Sequence, residues 1–300
     1  ALDGSSNAIN ATYTWTASNG GNIVSGASTA TPIVNAAGTY TLTVSTGSVC
    51  TASDVAVVTS NFTSPNVNAG VDKVLTCSNT SVALNGSSTT LGATYSWSGP
   101  GIVSGGNTLT PTVNAPGNYK LTVTNPTNGC TAFDLIAVST DYTAPNVDAG
   151  NGIELTCALT STTLNGTSTT NGVSYSWTGP GIVSGANTAT PLINVAGTYT
   201  LTVTSSTNGC SASDNVNITL NVKAPIANAG PDDELTCITT SLSLQGSSSV
   251  TPSNFAWSGT GITGGGNTAN PSINAAGTYT VVVTDPSNGC TATDDVLITL

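Results

Sequence analysis

The chain has 300 residues, of which 38% are hydrophobic and 6% are charged, with three Lys or Arg, 14 Asp or Glu, no His and a formal net charge of −11. So few cations exclude electrostatic binding to nucleic acid, which needs Lys and Arg to neutralise phosphates. No apolar run reaches the roughly 18 residues that a membrane-spanning helix requires, so we expect no membrane insertion in this segment. Thr, Ser, Val and Ile are abundant and apolar residues show no helical spacing, which predicts an all-β chain with essentially no helix.

A period of 80 residues runs through the chain. It is marked by four sets of residues: Cys77, Cys157 and Cys237; Cys130, Cys210 and Cys290; Trp97, Trp177 and Trp257; and Tyr119, Tyr199 and Tyr279. Cys50, Trp15 and Tyr40 extend these sets into the first part of the chain. The period predicts four repeats, at 1–63, 64–143, 144–223 and 224–300. Because Ala1 aligns with Ala83, we expect the first repeat to be truncated at its N-terminus.

The third repeat shows the predicted elements in chain order. They are APNVDAGNGIELTC (144–157), TSTTLNGTS (160–168), VSYSWTG (173–179), PGIVSGANTATPLIN (180–194), AGTYTLTVT (196–204) and NGCSASDNVNITL (208–220). Each piece alternates, or nearly alternates, between apolar and polar residues and is bounded by Gly, Asn or Pro. Short strands at regular spacing with turn signals between them predict an immunoglobulin-like β-sandwich of about 80 residues in each repeat.

Aromatic residues are the predicted core of each sandwich. Tyr175 and Trp177 are two positions apart and share one face of a strand, and Tyr199 shares a face with Leu201 and Val203. The AGTY motif before the TLTVT strand predicts a tyrosine at a strand corner, as immunoglobulin-like sandwiches use. The predicted core residues are Trp15, Trp97, Trp177 and Trp257 with Tyr40, Tyr119, Tyr199 and Tyr279.

Five short motifs carry a resemblance to a known family. They are PNVNAG followed by LTC, LNGSS, YSWSGPG, AGTYTLTV and NGCTA. Together they resemble the tandem PKD-like or immunoglobulin-like repeats of Bacteroidota cell-surface adhesins, of which the gliding-motility adhesins are an example. The resemblance implies secretion to the cell surface and a role in adhesion or as a spacer. The acidic, glycine-containing stretch of PKD domains is absent after the Trp strand, where GPGIVSG stands instead.

The seven cysteines predict a disulfide framework in an oxidising compartment. No CxxC spacing occurs and no His is available, which argues against a zinc site. The expected pairs lie within repeats: Cys77–Cys130, Cys157–Cys210 and Cys237–Cys290. Each would close a loop of about 54 residues and stabilise a small core. Cys50 would pair with a residue before the fragment, about five residues before Ala1.

A different pairing of the cysteines is left open by the strand order. The first Cys of a repeat precedes the second strand of a sandwich and the second Cys follows the sixth, so the two can fall at opposite poles. In that case Cys77–Cys210 and Cys157–Cys290 would join neighbouring repeats.

Calcium candidates recur four residues after the second Cys, at Asp54, Asp134, Asp214 and Asp294. Calcium takes six to eight oxygen ligands, and no clustered acidic loop is present. The favoured interpretation is that each Asp caps a turn or solubilises an edge strand. No other cofactor is expected.

Enzymatic activity is not expected, because there is no His as a general base and no Ser or Cys in an elbow motif. The glycine-rich stretch 99–105 could suggest a phosphate loop, but such a loop leads into a helix, whereas this one leads into another strand.

The predicted function is a structural extracellular segment of a large adhesin, stalk or filament, acting as a disulfide-stabilised rod or spacer. Its expected partners are neighbouring repeats of the same long chain, with lateral or end-to-end self-association into a homopolymer. The alternative is a glycan- or surface-binding module that uses the loops at one pole of each sandwich.

Overall fold

A computed structural model describes residues 1–47 and 50–300. These residues form strands, turns and bends without any helix, so the all-β prediction is confirmed. The described residues accordingly include no helix long and apolar enough to cross a bilayer. The chain divides into two compact units, one of residues 1–74 and 81–139 and the other of residues 75–80 and 140–300.

The strands of the first and second repeats lie between residues 12 and 141. They are β1 (Thr12–Ser18), β2 (Ile23–Ser25), β3 (Ile33–Val34), β4 (Gly38–Thr46), β5 (Cys50–Val58), β6 (Lys73–Thr76), β7 (Val82–Ala83), β8 (Thr94–Ser98), β9 (Ile102–Ser104), β10 (Thr112–Val113), β11 (Gly117–Thr124) and β12 (Thr131–Asp141).

The strands of the third and fourth repeats lie between residues 154 and 299. They are β13 (Glu154–Thr156), β14 (Thr162–Thr163), β15 (Val173–Thr178), β16 (Ile182–Ser184), β17 (Leu192–Ile193), β18 (Gly197–Ser205), β19 (Ser211–Asn221), β20 (Ala227–Asn228), β21 (Asp233–Glu234), β22 (Leu242–Ser243), β23 (Ser247–Ser248), β24 (Asn254–Ser258), β25 (Ile262–Gly264), β26 (Ser272–Ile273), β27 (Gly277–Thr284) and β28 (Thr291–Thr299).

Two sheets make up the third repeat, with strand orders β13-β19-β18-β15 and β14-β17-β16. β13 runs parallel to the last strand, β19, with Leu155 opposite Leu220. The other neighbours pair antiparallel. One sheet thus contains the three longest strands, β15, β18 and β19, and the other contains three short strands. This order is that of an immunoglobulin-like sandwich.

The same arrangement recurs in the other repeats, except that the fourth has an added two-stranded sheet, β20-β23, and the first has fewer strands. The fourth repeat has the orders β21-β28-β27-β24 and β22-β26-β25, and the second has β6-β12-β11-β8 and β7-β10-β9. The first repeat has the shorter orders β1-β4-β5 and β2-β3, in which β5 is an edge strand.

The core of the third repeat follows from the alternation along β18. Tyr199, Leu201 and Val203 are fully buried, whereas the threonines between them are partly exposed. Trp177 lies opposite Leu201 on the neighbouring strand and donates its indole N–H to the Thr188 carbonyl at 3.1 Å. All eight predicted Trp and Tyr residues are buried, because each presents a large apolar surface on an inward-facing position.

A tyrosine corner explains the glycine-rich stretch after each Trp strand. The Tyr119 hydroxyl donates to the Ala115 carbonyl at 2.6 Å and also contacts the Pro100 carbonyl. Gly99 has a φ of +157°, and a Cβ there would lie 2.5 Å from the Tyr119 ring, so only glycine fits against the ring. Burial raises the pKa of the Tyr119 phenol, and its bond to Ala115 opposes that rise. The stretch is a turn that seats the tyrosine and leads into β9.

Candidate functional site at the disulfide junctions

Two disulfides connect successive repeats. Cys77 is bonded to Cys210 and Cys157 to Cys290, each pair having a Cα–Cα distance of 5.0 Å. In both cases the first cysteine of one repeat joins the second cysteine of the next, and the two are 133 positions apart in sequence. All four cysteines belong to the unit of residues 75–80 and 140–300.

The predicted within-repeat pairs Cys77–Cys130, Cys157–Cys210 and Cys237–Cys290 are therefore wrong. In the third repeat, Cys210 directly precedes β19 and Cys157 directly follows the strand that pairs in parallel with the far end of β19. The 11 residues of β19 separate the two positions by about 33 Å. A disulfide needs Cα atoms within about 7 Å, so the cysteines of one repeat cannot meet.

Three cysteines in the described part of the chain are unpaired. Cys130 is half-buried, whereas Cys50 and Cys237 are exposed. The partner predicted for Cys50 lies outside the sequence, so that pairing stays a prediction.

The first junction consists of Cys77, Ser78, Asp141, Thr143 and residues 208–210. Asn208, which is 3% exposed, holds it together with its side-chain amide. Its Nδ2 donates to Asp141 Oδ1 at 3.0 Å and to the Thr143 carbonyl at 2.9 Å, and its Oδ1 accepts from the Cys210 N–H at 3.0 Å. Since both ends of the amide are satisfied, its burial carries little desolvation cost.

The second junction repeats this arrangement with Cys157, Ala158, Asn221, Lys223 and residues 288–290. Asn288 donates to Asn221 Oδ1 at 3.1 Å and to the Lys223 carbonyl at 2.9 Å, and accepts from the Cys290 N–H at 2.9 Å. The junctions thus differ at two bonded positions. Asp141 supplies a carboxylate where Asn221 supplies a neutral amide, and the Ser78 hydroxyl donates to the Asn208 carbonyl at 3.3 Å where the second junction has Ala158.

Backbone contacts close each junction beside its disulfide. The N–H groups of Ser78 and Ala158 donate to the carbonyls of Asn208 and Asn288, both at 3.1 Å. Gly209 has a φ of +70°, and a Cβ on it would lie 2.6 Å from the Ser78 Cβ. Glycine is therefore needed for both conformation and space. The Asn-Gly-Cys motif is the sequence signal for this site, since its Asn and Gly make these contacts beside the cysteine.

The electrostatics of the first junction are set by Asp141. The Asn208 amide, followed by bonds with Thr143, holds the pKa of the Asp141 carboxyl below its usual value. The ionised form is therefore the one that the junction stabilises.

Three of the recurring aspartates join the last strand of their repeat to the segment at its start. Asp134, Asp214 and Asp294 each accept, through Oδ2, a backbone N–H at 2.8 Å from Ala69, Ala149 and Ala229 respectively. The bond from Ala149 is the largest cause that lowers the pKa of Asp214. Asp54 accepts from the Val55 N–H at 2.8 Å.

No metal-ligand set forms around the calcium candidates. The four aspartates lie in four different repeats, and the described residues contain no group of three or more His, Cys, Asp or Glu side chains that could hold a metal ion. Asp134, Asp214 and Asp294 instead bind the start of their own repeat to its last strand.

Known multidomain structures resemble the chain at low identity. A three-domain titin fragment is 15% identical, with a TM-score of 0.33, and covers 79% of this chain and 98% of its own. Three N-terminal domains of the Highly Immunogenic Outer Capsid protein of bacteriophage RB49 are 15% identical, with a TM-score of 0.34 and the same two coverages. Immunoglobulin domains 1–5 of Sidekick-1 are 13% identical, with a TM-score of 0.29, and cover 96% of this chain and 74% of their own.

The assignment to the immunoglobulin-like class rests on the strand order above, since these scores add no argument of their own. No protein-family model and no curated protein sequence matches the chain.

Proposed function

We propose that this chain is a non-catalytic structural segment of an extracellular protein, in which disulfides between repeats restrict bending. The observation that carries the proposal is the pairing of Cys77 with Cys210 and of Cys157 with Cys290. A disulfide within a sandwich would stabilise that sandwich alone. A disulfide between successive sandwiches adds a second covalent connection to the polypeptide, and so opposes rotation about the connector.

The extracellular part of the proposal rests on chemistry. Structural disulfides persist in oxidising compartments and are rare where thiols are kept reduced. The motif resemblance to Bacteroidota adhesin repeats supports a cell-surface stalk or filament as the more specific form of this function. The eight predicted Trp and Tyr residues are buried in the cores, so they do not offer an exposed aromatic surface for the alternative function of glycan binding.

Small-angle X-ray scattering tests the restriction of bending. The variant C157S/C290S removes the second junction's disulfide, and C130S/C237S removes two unpaired thiols as the matched control. We expect a broader distribution of maximum dimension for C157S/C290S under oxidising conditions and an unchanged distribution for the control. Indistinguishable distributions for C157S/C290S and the unmodified chain would refute the mechanical role.

A further inference from the structure

The first repeat has a smaller buried core than the complete sandwiches. Its buried cluster consists of Trp15, Tyr40 and Leu42, with Val44 and Ala56 only partly buried beside them. In the third and fourth repeats the corresponding clusters have ten buried residues each. The difference marks a face of the first repeat that lacks the cover found on the others.

In the third repeat this face is covered by residues 144–157, the segment that precedes the second strand, β14. Ala149 and Leu155 of this segment are 1% and 2% exposed within the core. The segment forms an isolated bridge from Asp148 to Thr167 and pairs through β13 with the edge of β19. Cys157 follows two positions after Leu155 and bonds to the next repeat.

The same three residues recur at the same spacing in the other complete repeats. The sets are Ala69, Leu75 and Cys77; Ala149, Leu155 and Cys157; and Ala229, Leu235 and Cys237. All the alanines and leucines of these sets are buried. One covering segment, of the pattern Ala-x5-Leu-x-Cys, thus completes each of these sandwiches.

The first repeat has a groove at the position where the covering segment lies in the other repeats. A cavity of about 530 Å³ is lined by residues that include Ser5, Trp15, Val44, Asp54 and Ala56. It lies along β5, which is the edge of its sheet.

The polar groups of the groove match those that hold the covering segment in the second repeat. There, Ser87 exchanges two backbone hydrogen bonds with Asn68, at 3.0 and 2.7 Å, and Asp134 accepts the Ala69 N–H. Ser5 and Asp54 are the equivalents of Ser87 and Asp134 in the repeat alignment. A strand in the groove would therefore find both sets of partners.

We propose that the first repeat is an acceptor for an added β-strand of the pattern Ala-x5-Leu-x-Cys, whose cysteine bonds to Cys130. The strand comes from a polypeptide segment other than the three that this chain already uses to complete its own sandwiches. It adds at the free edge where β5 ends, because residues 59–61 are the equivalents of the three that pair with β13 in the third repeat. Its Ala and Leu fill the groove. This is recognition by strand addition, in which main-chain bonds supply affinity and alternate side chains supply specificity.

The open junction, consisting of Asn61, Thr63 and residues 128–130, is the second observation that supports this proposal. Asn128 already donates to Asn61 Oδ1 at 3.1 Å and to the Thr63 carbonyl at 3.0 Å, and accepts from the Cys130 N–H at 2.9 Å. These are the bonds that Asn208 and Asn288 make beside paired cysteines. Cys130 is thus placed like Cys210 and Cys290 but has no bonded sulfur.

The covalent step is a thiol–disulfide exchange with a low-molecular-weight disulfide as the oxidant. The Cys130 thiolate attacks that disulfide and releases one small thiol. The thiolate of the added strand then attacks the mixed disulfide and releases the second small thiol. Two protein thiols are oxidised to one disulfide, and one small disulfide is reduced to two thiols.

A synthetic peptide with the sequence of residues 144–157 tests the proposal on the full oxidised chain. The peptide is supplied with its cysteine as a thiopyridyl disulfide, so that attack by a protein thiolate releases thiopyridone. We expect Cys130 to be labelled at least about tenfold faster than Cys50 or Cys237, because docking raises the local concentration of the peptide cysteine. We also expect slower hydrogen exchange after labelling at the end of β5, in the amides of residues 57–61, because the equivalent amides bind the covering segment in the complete repeats. This effect is called β5 protection.

A peptide carrying Leu155→Asp is the matched control, and it should lose at least about tenfold in labelling rate because it places a charge in an apolar groove. The chain variant C130S should still show β5 protection with the unmodified peptide, without a covalent bond. Equal labelling of the three thiols without β5 protection would overturn the proposal. A disulfide-linked dimer through Cys130 and Cys237 in the absence of peptide would assign the site to a second copy, and would equally overturn it.

Discussion

The open junction and the second junction have the same Asn-Gly-Cys sequence but differ in their disulfide. Asn128 and Asn288 make matching hydrogen bonds to the connector that precedes their own repeat. Yet Cys290 is 1% exposed and bonded, whereas Cys130 is half-buried and unpaired. The asparagine contacts therefore form without the disulfide. These contacts position the second cysteine of the repeat, and the disulfide then stabilises a geometry that already exists.

Removing the second junction's disulfide is the largest expected disturbance of this comparison. The bond links positions 133 apart, and the chain-entropy model gives up to about 5 kcal/mol of unfolding free energy for closing a loop of that length. We expect C157S/C290S to lower the stability of the third and fourth repeats in calorimetry. The control C130S/C237S should stay within about 0.5 kcal/mol of the unmodified chain. Equal losses of stability for the two double variants would mean that the disulfide does not stabilise the second junction relative to the open junction.

Substitution of the junction asparagines is the next largest expected effect. Asn208→Ala should cost about 2–4 kcal/mol, because it leaves the buried Cys210 N–H without an acceptor and the part-buried Thr143 carbonyl without a donor. Asn128→Ala should cost less, about 1 kcal/mol, since the same groups at the open junction are closer to water. Denaturant unfolding of the two variants measures the difference. A larger loss of stability at Asn128 would show that burial at a disulfide-bonded junction does not set the cost of removing the asparagine.

Two glycines with nearly equal backbone conformation sharpen the comparison further. Gly129 has a φ of +72° and no heavy atom within 4 Å of an added Cβ, whereas Gly209 has a φ of +70° and the Ser78 Cβ at 2.6 Å. Gly129→Ala should cost only the left-handed strain, about 1–2 kcal/mol. Gly209→Ala adds a steric clash of about 1–3 kcal/mol. Thermal unfolding of both variants gives the difference directly, and equal losses would mean that the covering segment is not held against Gly209.

The smallest expected effect is an acid sensitivity that is greater at the first junction, where Asn208 binds a carboxylate directly, than at the second, where Glu154 bonds only to Asn221 at 3.4 Å. Because the pKa of Asp141 is lowered by its bond from Asn208, its contribution is present above the usual carboxyl pKa of about 3.9. That contribution is lost as the pH falls through the lowered value. The second junction has neutral Asn221 in this place.

Reduction by a phosphine, followed by mass spectrometry, measures the acid effect. Acidification from about pH 6 to pH 3, a range that spans the usual carboxyl pKa, should increase the reduction rate of Cys77–Cys210 relative to that of Cys157–Cys290. The Asp141→Asn variant should abolish this change. A ratio that is independent of pH in the unmodified chain would rule out a role for the Asp141 charge.

The sequence was sufficient for the repeat period, the all-β class and the buried aromatic residues, because these depend on local alternation and on spacing. It was insufficient for strand lengths in the smaller sheets. The predicted piece 160–168 alternates over nine positions, yet it forms only the two-residue strand Thr162–Thr163 and an isolated bridge at Thr167, with Leu164 buried between them. Alternation reports which side chains face the core, and it does not report how far backbone pairing extends.

The cysteine pairing could not be chosen from one repeat because it depends on which pole each cysteine occupies. The parallel pairing of β13 with the far end of β19 decides this, and nothing in the alternation of either strand specifies it. The Asn-Gly pair before the second cysteine was a visible signal of a tight, specific contact, but its partner lies in a different part of the chain.

Peptide mapping without reduction tests the central claim most directly. Cleavage after aromatic residues separates the two cysteines of each complete repeat, since Trp97, Trp177 and Trp257 lie between them. We predict disulfide-linked peptides that contain Cys77 with Cys210 and Cys157 with Cys290. Recovery of Cys157 linked to Cys210 would contradict the account, because it would show that the disulfides close single repeats and do not join successive ones.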